Sequence, residues 1–182
     1  MTPPDQAQLE IVLVDADDVE IGRSDKLGAH RPPAPLHRAV SVMLTDSEGR
    51  YLLQRRADSK YHFAGLWANT ACGHPAPGER VDEAARRRLR AELGVAAGPL
   101  HAVGTMTYAA TDPQSGLMEH ELDHVLIGSA ISATHPNPEE VAEIAWVSEE
   151  QLTADLDDCP ERFAPWLAYV LPVLIRCRGR FG

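Results

Sequence analysis

The stretch Cys72-Gly73-His74-Pro75-Ala76-Pro77-Gly78-Glu79 places a thiol, an imidazole and a carboxylate around a glycine-bearing loop, and Arg87-Arg88-Leu89-Arg90-Ala91-Glu92 follows after seven residues. A loop of this kind feeding a helix can present carboxylate oxygens to a hard divalent cation. Arg88 and Glu92 are four apart and share one helix face, offering one carboxylate for a metal and one cation for phosphate. In isolation the same residues describe a solvated Arg-rich helix with a surface ion pair. Cys72, beside His74, nearby cations and a helix entrance, has surroundings that favour a reactive, partly ionised thiol. The plainer reading of a free cysteine, a small buried apolar residue, suits Cys159 and Cys177. Glu119 and Glu121 flank His120, so on an extended segment the two carboxylates face one site and His120 faces away. His30, His37 and His74 are each weak evidence for metal when taken singly, since most histidines are surface or hydrogen-bonded residues.

These groups need a scaffold, and the chain contains one. Runs rich in β-branched and aromatic residues predict strands at Glu10–Val14, Ala39–Thr45, Tyr51–Gln54, Leu66–Ala71, Asp123–Ile131 and Glu143–Val147. Asp46-Ser47-Glu48-Gly49 is turn chemistry, and the strands on either side of it read as a hairpin. Val81, Ala85, Leu89 and Leu93 recur every fourth residue and predict a helix that ends before Gly94. A second helix is expected from Ser148, with Gln151 completing a capping box, and a third over Glu161–Ile175, interrupted at its prolines. Strands mixed with a few helices imply an α/β (α+β) sandwich rather than a regular βαβ alternation.

With 182 residues, 44% apolar and 24% charged, the chain reads as one globular domain whose core spans about residues 10–175. A net charge of −10 disfavours nucleic acid, and equally repels a small anionic substrate unless a few convergent cations or a bound metal hold it. Three cysteines at irregular spacing make no disulfide framework. No signal peptide is visible, and the longest apolar segment, Phe163–Ile175, is too short to span a bilayer and contains Pro165 and Pro172. A cytoplasmic protein without membrane or nucleic-acid partners is expected, with a monomer as the default.

The loop and helix resemble the Nudix signature, Gly-x5-Glu-x7-Arg-Glu-U-x-Glu-Glu-x-Gly-U with U a bulky aliphatic residue, and its spacing is fully kept from Gly73 to Val95. Arg88 and Ala91 stand where a Nudix hydrolase would have two metal-binding or catalytic glutamates, so hydrolysis is expected to be impaired. Upstream, Trp67-Ala68-Asn69-Thr70-Ala71-Cys72-Gly73-His74-Pro75 is similar to type I isopentenyl-diphosphate isomerases, a branch of the same superfamily. Tyr108-Ala109-Ala110-Thr111-Asp112-Pro113 and Trp166 extend that resemblance, which covers roughly Ile11 to Trp166.

The resemblance implies a Nudix-like α/β/α sandwich with a mixed sheet. It also implies a metal site of His30, His37, His74, Glu119 and Glu121, a mixed donor set suited to Mn2+, Zn2+ or Mg2+. A substrate-bound Mg2+ is implied at the backbone carbonyl of Cys72 and at Glu92. The implied substrate is an allylic or homoallylic diphosphate, isomerised between isopentenyl and dimethylallyl diphosphate. Cys72 and Glu121, the latter with Tyr108, would form the acid/base pair, in either order, and Trp166 would face the developing carbocation. Lys26, Arg56, Lys60 and Arg88 would clamp the diphosphate; of the neighbours Arg55 and Arg56 only one can face the pocket, and the family match selects Arg56. Tyr61–Ala64 and the Asp112–Gly116 loop are variable for the family and are expected to alter lid closure. The competing reading is a Nudix hydrolase of a nucleotide or other diphosphate.

Overall fold

The computed structural model describes residues Glu10–Cys177. In chain order the elements are β1 (Ile11–Val14), β2 (Glu20–Ser24), α1 (Lys26–His30), β3 (His37–Thr45), β4 (Tyr51–Arg56), β5 (Trp67–Ala68), β6 (Ala71–Gly73), α2 (Val81–Leu93), β7 (His101–Thr111), β8 (Met118–Ser129), β9 (Val141–Val147), α3 (Glu149–Asp158), a 3-10 turn (Pro160–Arg162) and α4 (Leu167–Cys177). Among the described residues no helix is long and apolar enough to cross a membrane.

β3 organises the sheet. One edge pairs in parallel with β8, from His37 opposite Glu121 to Thr45 opposite Ser129. The other edge is shared in turn by β1 at His37, β6 over Val40–Val42 and β4 at Thr45, all antiparallel. β7 covers the outer edge of β8, and β9 and β5 flank β4. The result is the mixed sheet expected from the resemblance.

Side chains of a strand alternate between faces, and here the alternation separates two cores. Val40, Val42 and Leu44 of β3, with Leu126 of β8, bury against Ala84, Ala85, Leu89 and Leu93 of α2. Met43 and Val125 lie on the opposite face with Leu167, Val170, Leu171 and Leu174 of α4. Helices thus cover both faces, as an α/β/α sandwich requires. The second parity class also contains His37, Ser41, Glu119, Glu121 and Asp123, so polar groups occupy one end of the face whose other end is sealed by α4.

The expected helix over Val81–Leu93 is observed, and it stops at Gly94, whose φ of 57° is the left-handed cap that glycine adopts without strain. The hairpin between β3 and β4 also forms. Leu66–Ala71 is not one strand but two, broken at Asn69-Thr70. Side chains replace ladder bonds there: Asn69 donates to the carbonyls of Val42 and Ala71, and Thr70 Oγ1 accepts from the amide of Leu44 while donating to the carbonyl of Leu52. The last helix begins at Leu167 rather than Glu161, because Pro165 disfavours helical backbone at Ala164 and the chain runs extended through Phe163, which bridges to Trp67. Only half of the capping box forms, since Ser148 accepts from the amide of Gln151 while the Gln151 side chain turns to Asp155. β8 begins at Met118 and ends at Ser129, rather than spanning Asp123–Ile131. α1, β2 and β7 were not expected. α1 is too short to show a period, and β2 and β7 are largely exposed and carry little apolar alternation.

Asn69 ties the strand break to α4, because its Oδ1 accepts from Trp166 Nε1 at 2.9 Å in the buried interior. Asn69→Ala strands an indole N–H and two carbonyls, each worth about 1–3 kcal/mol when left buried and unpaired. Urea unfolding followed by tryptophan fluorescence should show a loss of at least about 2 kcal/mol, after partial relaxation of those groups.

Candidate metal centre and acid/base site

The parallel register of β3 and β8 sets His37 opposite Glu121, and the two-residue period of β8 adds Glu119 to the same face. α1 delivers His30 at its last residue, capped at its start by Asp25, which accepts from the amide of Gly28. His74 follows β6 directly. One ligand atom from each of His30, His37, His74, Glu119 and Glu121 lies within 4.8 Å of all the others. His30 Nε2 is 2.9 Å from Glu119 Oε2, and His74 Nε2 is 2.9 Å from Glu121 Oε1. His37 Nε2 stands 3.8 Å and 3.6 Å from the two carboxylates.

These residues fit a divalent cation on three grounds. His30 Nδ1 donates to the carbonyl of Lys26 at 2.6 Å and His37 Nδ1 to that of Pro35 at 3.0 Å, which leaves both Nε2 lone pairs facing the centre. His30 Nε2, His37 Nε2 and Glu119 Oε2 are buried without hydrogen-bond partners. Two carboxylates among three imidazoles carry the charge that one divalent cation cancels. Burial opposes ionisation of Glu119, yet its contacts with His30 and His62 hold it well below the usual carboxylate range. Burial and Glu119 oppose ionisation of Glu121, and contacts with His37 and His74 override them. Burial pushes His74 down to about 4, so its imidazole is neutral. His120 turns to the other face, as expected, and bonds the carbonyl of Ala34.

Glu121 Oε2 accepts from Tyr108 at 2.6 Å across the β7–β8 ladder. Cys72 pairs with Ser41 on the opposite edge of β3, whereas Glu121 pairs with His37 four residues away, so Cys72 and Glu121 approach the site from opposite edges of β3 and from different levels of the sheet. Both line one cavity of about 70 Å3, together with Tyr108, Trp166, Lys26, Arg56, Lys60 and Arg88. Cys72 departs from the reading of its sequence: burial pushes its thiol up to about 12, with Glu92 adding to the shift, so the resting thiol is protonated rather than partly ionised. The cations of the cavity do not outweigh that enclosure.

The four cations converge, each with a restraint. Arg88 Nε donates to the Cys72 carbonyl at 3.1 Å and to Glu92 Oε1 at 2.9 Å, so the two oxygens implied as ligands of Mg2+ meet at one guanidinium nitrogen. Gly73 makes room for this, because a Cβ there would lie 2.9 Å from Arg88 Cδ. Lys60 Nζ and Arg88 Nη2 both meet Glu140 Oε2, at 2.6 and 3.4 Å. Lys26 lies over the Tyr61 ring, and burial, with repulsion from Lys60 and Arg88, lowers it to about 8. Arg56 faces the cavity while Arg55 pairs outward with Asp58 and Glu143. Arg56 also holds its own loop, donating to the carbonyls of Phe63 and His62, and its guanidinium lies 5.4 Å from the Trp166 ring.

Three site residues escaped the sequence reading. Glu140 joins Lys60 and Arg88 from 80 and 52 residues away, and no spacing signals it. Asp123 continues the Glu119/Glu121 alternation, a signal that was available, and accepts from Ser41 Oγ at 2.6 Å. Its burial, reinforced by Glu121, raises it well above the carboxylate range. His62 bonds Glu119 Oε1 at 2.6 Å from the segment read as variable. The Asp112–Gly116 loop is a turn built on Asp112, which accepts from Ser115 and also from the amide of Phe63.

The NUDIX domain family matches residues 35–167. An isopentenyl-diphosphate Delta-isomerase of Nocardia farcinica is 50% identical over 165 residues, covering 91% of this chain and 94% of that protein. One from Halorhodospira halophila is 46% identical over 157 residues, covering 86% and 89%. Among solved structures, a Deinococcus radiodurans protein superposes with a TM-score of 0.73 at 24% identity, over 93% of this chain and 99% of that one, a likeness of fold. The matched span holds Cys72, His74, Glu92, Glu119 and Glu121, and with the relatives' identity along nearly the whole chain it shows that this protein belongs to the Nudix family and, within it, to the isopentenyl-diphosphate Delta-isomerases.

Proposed function

We propose that the chain interconverts isopentenyl and dimethylallyl diphosphate by adding a proton at one carbon and removing one at another. The observation that carries this reading is the pairing of a protonated Cys72 with an ionised Glu121 on the wall of one small cavity. Isomerisation needs one acid and one base: a proton joins the terminal methylene, positive charge develops at the tertiary carbon, and loss of a C2 proton restores neutrality. Arg88 and Ala91 also leave α2 without the extra carboxylates that a hydrolase reading requires.

Trp166, fixed by Asn69, and Tyr108 wall the chain from water, and the indole stabilises positive charge by about 0.5–2 kcal/mol. Tyr108 holds the position of Glu121 Oε2. Lys26, Arg56, Lys60 and Arg88 bind the diphosphate, with Glu140 keeping Lys60 and Arg88 together. The Cys72 carbonyl and Glu92 would hold Mg2+ carried by the substrate. A divalent cation held by His30, His37, His74, Glu119 and Glu121, whether Mn2+, Zn2+ or Mg2+, supplies the positive charge that offsets the paired carboxylates.

In D2O, NMR should show dimethylallyl diphosphate with deuterium in the new methyl group. Cys72→Ala and Glu121→Gln should each lower kcat roughly 10^2- to 10^4-fold, the usual worth of a proton-transfer group. Phosphate release without double-bond movement would favour the hydrolase. Dialysis against a chelator should abolish isomerisation, and readded metal should restore it. Burial works against a proton on His30, but its Glu119 contact raises it above 6.5, so protons compete with metal more as pH falls. Calorimetric titration should therefore show weaker metal binding near pH 6 than near pH 8, whereas a pH-independent affinity would remove His30 from the ligand set.

A further inference from the structure

Glu119 divides its two oxygens. Oε2 faces His30 and His37 and has no hydrogen-bond donor, whereas Oε1 accepts from His62 Nε2 at 2.6 Å. His62 is buried, 7% exposed, and a carboxylate only accepts, so Nε2 carries the imidazole proton. His62 Nδ1 is then a buried lone pair without a partner. This arrangement is the reverse of His30 and His37, whose Nδ1 protons go to backbone carbonyls and whose Nε2 lone pairs face the centre. His62 is also outside the group of five whose ligand atoms converge within 4.8 Å. Its geometry is that of a donor to a ligand rather than of a ligand.

The backbone around His62 is held firmly. Arg56 donates to the carbonyls of His62 and Phe63 at 3.1 and 3.0 Å, and Asp112 accepts from the Phe63 amide at 3.1 Å. Phe63 has a φ of 48°, a left-handed backbone that a bulky residue adopts only when its surroundings demand it. That turn packs Phe63 edge-on against Trp166, at 5.5 Å, beside an inward-pointing His62.

We propose that His62 is a positioning residue that holds Glu119 Oε1, so that Glu119 meets the metal through Oε2 alone. The inference rests on the metal reading of the five-residue centre. Groups that orient a metal ligand from behind change affinity by about 10- to 100-fold, and His62 should lie in that range.

The test is calorimetric titration of the metal-stripped protein with Mn2+, and with Co2+ read by its visible spectrum. His62→Ala should bind Mn2+ about 10- to 100-fold more weakly than wild type at unchanged one-to-one stoichiometry. His62→Gln, whose amide keeps a donor, should recover most of the affinity. His30→Ala, which removes a ligand, should lose stoichiometric binding and alter the Co2+ spectrum. Should His62→Ala fail to fold by circular dichroism, His62→Phe fills the same space without a donor and takes its place. Wild-type affinity in a folded donorless variant overturns the inference while leaving the metal centre intact. Loss of stoichiometry matching His30→Ala overturns it by making His62 a ligand. Absence of binding in the wild type overturns the metal reading and this inference together.

Discussion

The parallel pairing of β3 with β8 is the constraint on which the site depends. Nine consecutive residue pairs, His37–Glu121 to Thr45–Ser129, hold the two strands in a register that the buried faces cannot relax. A slip of one residue would turn Val40, Val42 and Leu44 toward α4 and His37 and Ser41 toward α2. Apolar burial on the α2 side therefore fixes the orientation of the polar groups on the other side. The same ladder separates Cys72 from Glu121, because β6 takes one edge of β3 and β8 the other.

Concentrating titratable groups at one end of a buried face is costly, since an ionised carboxylate loses its hydration there. The structure offsets that cost by distributing bonds. Glu119 Oε1 accepts from His62, and Glu121 receives His74 and Tyr108. Backbone carbonyls hold His30 and His37 in the tautomer that leaves Nε2 open. What remains unpaired is concentrated where a cation belongs. Cys72 experiences the same enclosure without such bonds, and therefore keeps its proton.

A chain of net charge −10 concentrates four cations around the cavity mouth, and they are not left to repel one another. Glu140 lies between Arg88 and Lys60 and Glu92 pairs with Arg88, while Arg56 holds the loop that carries Lys60 and His62. Local counterions, rather than overall charge, let an anionic substrate be held by an acidic protein. Arg88 covers both the Cys72 carbonyl and Glu92, so one side chain spans the oxygens meant for metal and the charge meant for phosphate.

Much of this was legible in the sequence where the signal is local. The glycine spacing from Gly73 to Gly94 and the fourfold stripe of Val81, Ala85, Leu89 and Leu93 place α2 and its Arg88–Glu92 face. Alternation alone puts Glu119 and Glu121 together and sends His120 away. Those relations are set by the 3.6- and 2-residue periods of the backbone, which the sequence itself carries. The ligand set and the acid/base pair were legible only through the family resemblance. β7 was missed because a largely exposed strand needs no apolar alternation, and the Asn69-Thr70 break because it is held by side-chain bonds to β3 and β4, which lie far away in the chain. Only the tertiary structure decided that Glu140 bridges Lys60 and Arg88, that His62 meets Glu119 from 57 residues away, and that Cys72 is enclosed enough to stay protonated. Each depends on distance and burial between elements far apart in the chain, which sheet register and packing set and which no local period encodes.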